Sequence, residues 1–284
     1  MEKTLWVFIG LCLLVCLNTQ LFAQEEAPVI VRVITNEGNE FVGVVLEENE
    51  VEVLLRTEQY GELRLLRSAI RQITVVDQAL IRDGVVWFEN PQATRYFWAP
   101  NGFGLERGEA YYQNIWVFYN QVTFGVTEHF SISAGLVPIF LLGVGVAPVW
   151  VVPKVSIPIK EDRSHAAAGA FLGTLLGEGE TFGIVFGSFT LGDRDSNGTL
   201  GMGWGYAGGT WASSPIVNFG FMARTSQRGY FISENYILPG PTVVLSGGGR
   251  RILGRVGLDF GLFAFLGNGV FALPFLGITT PLGK

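Results

Sequence analysis

The stretch "TLGMGWGYAGG", Thr199 to Gly209, sets glycine at 201, 203 and 205 against Leu200, Met202, Trp204 and Tyr206. A period of two is the period of a β-strand, whose side chains alternate between faces. One face is large and apolar; the other is nearly bare, where an ordinary soluble strand would turn polar groups to water. The alternation recurs along the second half of the chain. "FSISAGL" sets Phe130, Ile132, Ala134 and Leu136 against Ser131, Ser133 and Gly135. "SPIVNFGFMAR" sets Val217, Phe219 and Phe221 against Asn218, Gly220 and Arg224, and "RVGLDFGLF" sets Val256, Leu258, Phe260 and Leu262 against Arg255, Gly257, Asp259 and Gly261. "NIWVFYNQVTFGVT" reads as one more strand, with Trp116, Phe118, Val122, Phe124 and Val126 on one face and Tyr119, Gln121, Thr123, Gly125 and Thr127 on the other.

Segments of about ten residues with this pattern are the mark of transmembrane barrel strands, large apolar side chains toward lipid and small or polar ones toward a lumen. In a narrow barrel, lumen side chains compete for space, so glycines make room. A soluble β-sandwich also alternates and is the alternative architecture, but its outer faces favour charged residues over glycine. The uncharged run from Leu136 to Pro153 is long enough for a membrane helix. Pro138, Pro148, Pro153, Gly143 and Gly145 break it, so it reads as two strands with an apolar loop. Gly267, Asn268, Gly269 and Pro274 divide the run after Gly261 in the same way.

The fold class expected is therefore all-β, with a C-terminal antiparallel transmembrane barrel over 95–284. Its strands fall near 95–100, 114–127, 130–138, 147–160, 164–176, 181–192, 199–208, 215–225, 229–238, 241–250, 254–267 and 270–282. Twelve strands put both chain ends on the periplasmic side, with "TEHF", "KEDRS", "DRDSNG" and "TSQRG" as polar turns on that rim. The strand near 95–100 is the weakest of these, and a ten-stranded barrel is the alternative. "MEK", the apolar "TLWVFIGLCLLVCL" and "NTQLFAQ" read as a secretory signal over 1–23, with Leu21 and Ala23 placed for cleavage. Both cysteines, Cys12 and Cys16, lie inside it, so the mature chain has no thiol for a disulfide, a metal or a nucleophile.

Composition marks a boundary. From Gln24 to Tyr112 there are 15 acidic and 8 basic residues, whereas from Gln113 to Lys284 there are 9 and 10; only 8 of the 38 glycines precede residue 113. Neither part carries a basic face, so no nucleic-acid partner is expected. Residues 28–76 read as five short strands with turns at Asn36–Asn39, Glu47–Glu50 and Glu58–Glu62, where Gly38 and Gly61 supply positive φ. Val29, Val31 and Val33, then Phe41, Gly43 and Val45, then Val51, Val53 and Leu55 alternate inward. A linker over 77–94 follows.

The pattern of Gly38, Phe41, Gly43, Val45, Val51–Leu55 and "GELRLLRSAIRQI" resembles the Sm-like (SH3-like) small-barrel fold. In RNA-binding members an Asp…Asn pair and an Arg-Gly or Lys-Gly touch nucleotides; "LEENEVEV" and "LLRSAI" stand here instead, and RNA binding is not carried over. Arg64, Arg67 and Arg71 read as surface charges balancing the glutamates rather than as an anion site. The resemblance implies a periplasmic interaction module. "WFENPQATRYFWAPNGFGLERGEAYYQN" with "NQVTFGVTEHFSISAG" resembles uncharacterised outer-membrane barrel proteins of the Bacteroidota type, closely over Asn90 to Gly135 and more loosely beyond. That resemblance implies location and fold and carries no substrate or catalytic residue.

No enzyme, cofactor or metal is expected. His129 falls in a turn and His165 opens a strand, without further ligands at a useful spacing. His129 with Ser131 lies at the wrong end for a lipid-modifying hydrolase in the barrel wall, and Ser164 and His165 face opposite ways. "LSGGGRR", Leu245 to Arg251, lacks the lysine of a phosphate loop and reads as a Gly-rich hairpin turn. The functional candidates are the polar residues on lumen parity: Lys154, Ser156, Asn218, Arg224, Arg255 and Asp259. They either line a path or binding site for small solutes or pair with one another and fill a closed barrel. The partners expected are outer-membrane lipid and a periplasmic protein docked through 28–76.

Overall fold

The computed structural model describes residues 29–76, 80–82, 85–138, 140, 146–160 and 163–283. The expected signal segment, 1–23, lies outside the described residues. The chain divides into two units, Met1–Gly84 and Val85–Lys284.

In the first unit, β1 (Ile30–Thr35), β2 (Glu40–Glu48), β3 (Glu52–Thr57), β4 (Gly61–Leu66) and β5 (Ile70–Val75) form an antiparallel sheet in the order β4-β3-β2-β1-β5. A 3-10 turn, Arg67–Ala69, joins the last two strands. Alternation buries Val31, Val33 and Leu55 against Phe41, Val45, Leu65, Ile70 and Ile73. Gly38 and Gly61 hold φ of +89° and +67°, as their turns require. Val29 and Val51, expected inward, are exposed, because each lies just before its strand begins. Two short strands, β6 (Ile81–Arg82) and β7 (Val85–Val86), follow.

The second unit is a closed antiparallel barrel of twelve strands. They are β8 (Ala110–Ile115), β9 (Tyr119–Gly125), β10 (Phe130–Leu136), β11 (Ala147–Lys160), β12 (Ser164–Leu176), β13 (Thr181–Gly192), β14 (Ser196–Ala207), β16 (Ile216–Ser226), β17 (Gly229–Ile237), β18 (Val243–Leu253), β19 (Val256–Leu266) and β20 (Val270–Leu282). The two-residue β15 (Thr210–Trp211) extends the end of β14. Each strand pairs with the next, and β20 returns to β8 through Thr279 opposite Gln113, which removes both sheet edges. A single closed sheet is not a sandwich.

Strand parity follows the sequence. In β14, Leu200, Met202 and Trp204 point outward at 62%, 47% and 41% exposure, and Asn197, Thr199, Gly201 and Gly203 are buried on the lumen side. Val122, Phe124, Ile132, Phe219, Phe221 and Phe260 continue the outer apolar surface. Water would penalise so large an apolar exterior; hydrocarbon accepts it.

Three expectations change. The strand expected at 114–127 is a hairpin, β8 and β9, whose turn carries Trp116 and Val117 at φ of +51° and +68°. Side chains other than glycine rarely adopt this conformation, least of all a β-branched one. Asn114 and Asn120 hold it: Asn114 Oδ1 accepts from the Val117 amide at 3.2 Å, and Asn120 Nδ2 donates to the Val117 and Phe118 carbonyls at 3.2 and 2.9 Å. The segment near 95–100 makes only an isolated bridge, Arg95 with Pro100, and is no wall strand. The barrel thus reaches twelve strands because one expected strand splits and another is absent. Finally, "LSGGGRR" lies within β18 rather than at a turn.

Candidate functional site

The barrel has two unlike rims. β8 begins and β20 ends at one, here the terminal rim, where the turns 126–129, 193–195, 227–228 and 254–255 are short. The far rim carries 116–118, 137–146, 177–180, 208–215, 238–242 and 267–269; residues 139 and 141–145 lie outside the described residues. The polar turns expected together on one rim are together at the terminal rim; Glu161 and Asp162 of "KEDRS" lie outside the described residues.

From Phe88 to Leu105 the chain fills the lumen. It enters at the terminal rim, where the Phe88 amide donates to the Gln227 carbonyl at 3.2 Å. It turns at Tyr96–Ala99, where the Tyr96 amide donates to the Ala99 carbonyl at 3.1 Å, and then runs back. Gln92, Thr94, Tyr96, Phe97, Asn101 and Phe103 are buried, the first two within the segment expected as linker. An irregular segment buried inside a barrel lacks a ladder of its own, so the wall must satisfy its amides and carbonyls. Some of these groups pair within the segment, as the Asn101 amide does with the Thr94 carbonyl, and many of the rest meet charged side chains of the wall.

At the apex, Glu234 Oε2 of β17 accepts three successive amides, Phe97, Trp98 and Ala99, at 2.8, 2.9 and 3.1 Å. A run of amides converging on one carboxylate is an anion nest turned inward. The Tyr236 hydroxyl donates to the other oxygen of Glu234. On the returning leg, Lys154 Nζ of β11 donates to the Asn101 and Phe103 carbonyls at 3.1 and 2.7 Å. Thr190 Oγ1 accepts the Gly102 amide at 2.7 Å, and Arg194 Nη2 donates to the Gly104 carbonyl at 3.0 Å.

Arg250 of β18 holds the entering leg. Its Nε and Nη2 donate to the two Asp259 oxygens at 2.6 and 2.9 Å, across the β18–β19 register. The remaining donors reach Asn90 Oδ1 at 2.8 Å, the Gln92 carbonyl at 2.7 Å, Gln92 Oε1 at 3.0 Å and the Tyr96 carbonyl at 2.9 Å. Both Arg250 and Asp259 are about 1% exposed. The planar fork of arginine serves an acid and two backbone groups at once, which a lysine could not. Arg224 donates to the Phe88 carbonyl at 2.7 Å and to Asp195 at 2.9 Å. The Tyr96 hydroxyl donates toward Asn197 Oδ1 and Thr199 Oγ1, each at 2.7 Å.

Of the sequence-stated candidates, Lys154, Ser156, Asn218, Arg224 and Asp259 point into the lumen. Lys154, Arg224 and Asp259 serve the segment directly or through Arg250; Asn218 donates to the Asn235 carbonyl at 3.0 Å within the wall. Arg255 does not belong with them. It lies in the Gly254–Arg255 turn, one residue before β19, exposed, and donates to the Gly283 carbonyl at 2.8 Å. Alternation from β19 cannot be extended into that turn.

The lumen glycines serve two purposes. Some admit the segment: a Cβ at Gly220 would meet the Tyr96 ring, and one at Gly257 would stand 2.9 Å from Pro91 Cγ. Others admit an aromatic ring from the next strand. A Cβ at Gly135 would lie 2.5 Å from Trp150 Cε2, and one at Gly173 2.5 Å from Phe182 Cζ. Gly201 and Gly203 border neither; with Lys154, Ser188 and Asn218 they line an inner cavity of about 170 Å³ between segment and wall.

Above it, toward the far rim, a second concavity of about 650 Å³ is lined by Trp98, Trp116, Phe118, Tyr119, Trp150 and Phe182, among others. Trp98, Tyr119 and Phe171 border both spaces and stand between them.

No protein-family model matches this chain, and no curated protein matches it. Among solved structures it is similar to a KdgM porin in complex with disordered oligogalacturonate. The identity is 6% and the TM-score 0.44, over 62% of this chain and 98% of that one.

Proposed function

We propose that this chain is an outer-membrane barrel closed by its own residues 88–105, a binding and docking scaffold rather than an open diffusion pore. The observation that carries the reading is the Arg250–Asp259 pair with its four further bonds to Asn90, Gln92 and Tyr96. A side chain merely lining a water-filled path would be solvated; this one is spent on holding the segment. The outer apolar surface supports membrane location, and the short turns support a periplasmic terminal rim. On that orientation the first unit is periplasmic, where its Sm-like arrangement of strands would dock a protein partner. Its exposed ion pairs, Arg56 with Glu62 and Arg64 with Glu52, suit a polar contact.

Planar-bilayer recording tests closure. The wild-type barrel is expected to be silent, and Glu234→Ala, which frees three amides at the apex, to show intermittent openings. Steady open-state current from the wild type would overturn the closed-barrel reading and restore the solute path.

A further inference from the structure

The 650 Å³ concavity at the far rim lies in the size range of small-molecule sites. Its lining is aromatic, and the polar ends of three of those rings are used elsewhere. Trp116 Nε1 donates to the Pro274 carbonyl at 2.7 Å, and Trp150 Nε1 to Gln121 Oε1 at 3.0 Å. The Tyr119 hydroxyl donates to Gln121 as well, at 2.5 Å. What remains toward the cavity is ring faces and edges. A ligand there gains burial and dispersion with little hydrogen bonding, which favours an apolar group over a peptide backbone.

Ring geometry narrows the ligand further. Tyr119 stacks on Trp150 with centroids 4.6 Å apart, and Trp150 on Phe171 at 5.6 Å. These rings already touch, so they leave no slot for a flat ligand to enter. Trp98 meets Trp116 edge-on at 69°, making a curved floor and not a clamp. A flexible chain fits such a surface. Trp98, Tyr119, Trp150 and Phe182 lie on the lumen side of the wall, so a ligand among them is reached from the rim. Among the described residues of the far rim, the charged ones are Glu178 and Glu180, in the turn between the strands that carry Phe171 and Phe182. A negative head group would meet them.

We propose that this aromatic concavity binds the alkyl chain of a free, uncharged single-chain amphiphile, with Trp98 as its floor. The strained Trp116–Val117 turn holds one wall in place; backbone strain of this kind gathers at ligand sites. The inference rests on the closed-barrel reading, since Trp98 is the floor only while residues 88–105 stay seated.

The test uses the full chain in phosphatidylcholine vesicles, with 11-bromoundecanol as a quencher of tryptophan fluorescence. Quenching is expected to saturate at one molecule per barrel. Phe182→Asp and Phe118→Asp should weaken it at least tenfold, whereas Trp204→Leu, on the outer surface, should leave the affinity unchanged. The 11-bromoundecanoate anion should bind at least tenfold more weakly than the alcohol. A linear, unsaturating response shared by all variants would mean bilayer partition alone and overturn the proposal, as would equal affinity for the anion. Photocrosslinking of wild type by an alkyl diazirine alcohol needs no variant to fold: peptides containing Trp98 or Trp116 support the site, and label confined to outward residues overturns it. A barrel that is silent in bilayers but fails these tests loses only this inference, whereas steady wild-type current removes the closure on which it rests.

Discussion

The two ends of the lumen are held by different physics. Toward the terminal rim, Arg250, Lys154, Arg224 and Arg194 grip a segment's backbone through directed, charge-assisted bonds, with Asp259 holding Arg250. Toward the far rim, Trp98, Trp116, Tyr119 and Trp150 pack ring on ring, with glycines beneath them. The first arrangement fixes one position of one peptide; the second presents ring faces and edges without directed bonds to a segment. One end is thus held by directed bonds to a single peptide and the other by ring packing, within a wall of one repeating pattern.

That contrast can be broken most forcefully at Arg250. Arg250→Ala leaves Asp259 buried without its partner, together with the Gln92 and Tyr96 carbonyls, and is expected to cost about 3–5 kcal/mol in urea unfolding from vesicles. The double variant Arg250→Met with Asp259→Leu should recover much of this loss. If the single and double variants are equally stable, the pair is not what holds the segment. Lys154→Met keeps the stem and strands two carbonyls, at a cost of about 2 kcal/mol by the same assay. A cost below about 0.5 kcal/mol would show that water replaces Lys154.

At the aromatic end the sensitive positions are glycines. Gly135→Ala drives a Cβ into the Trp150 ring and should cost roughly 1–3 kcal/mol. Gly247→Ala, with nothing within 4 Å of the added atom, should be neutral or stabilise by up to about 1 kcal/mol. Reversal of that order would mean the rings do not lie on the glycines. The smallest effect belongs to Arg255→Ala, within about 0.5 kcal/mol, because its bond lies in an exposed turn. Any larger loss would draw that turn into the grip on the segment.

The wall was legible in the sequence because its signal is local. Leu200, Met202 and Trp204 against Gly201 and Gly203 declare both the strand and its two faces within a few residues. The lumen segment was not legible, because Phe88 to Leu105 has no periodicity of its own and takes its order from partners far along the chain. Arg250 was missed for a related reason: three glycines before it suggest a turn, and only Asp259 opposite reveals a strand. The hairpin at Trp116–Val117 carries neither glycine nor proline. Its signal was the pair Asn114 and Asn120, whose side chains do the work that glycine would do by conformation.

The lumen segment also has a consequence in time. Its bonds to Glu234, to Arg250 and from Thr279 to Gln92 close loops of 135 to 187 residues. The entropy of such closures is lost before any bond forms, which makes contacts of this span slow to appear. The receiving groups on β17 to β20 have their positions only once those strands are paired, so seating comes late. On the closed-barrel proposal, a wall that pairs before the segment docks is a hollow cylinder for that interval, and the length of the interval would set how long a new barrel leaks.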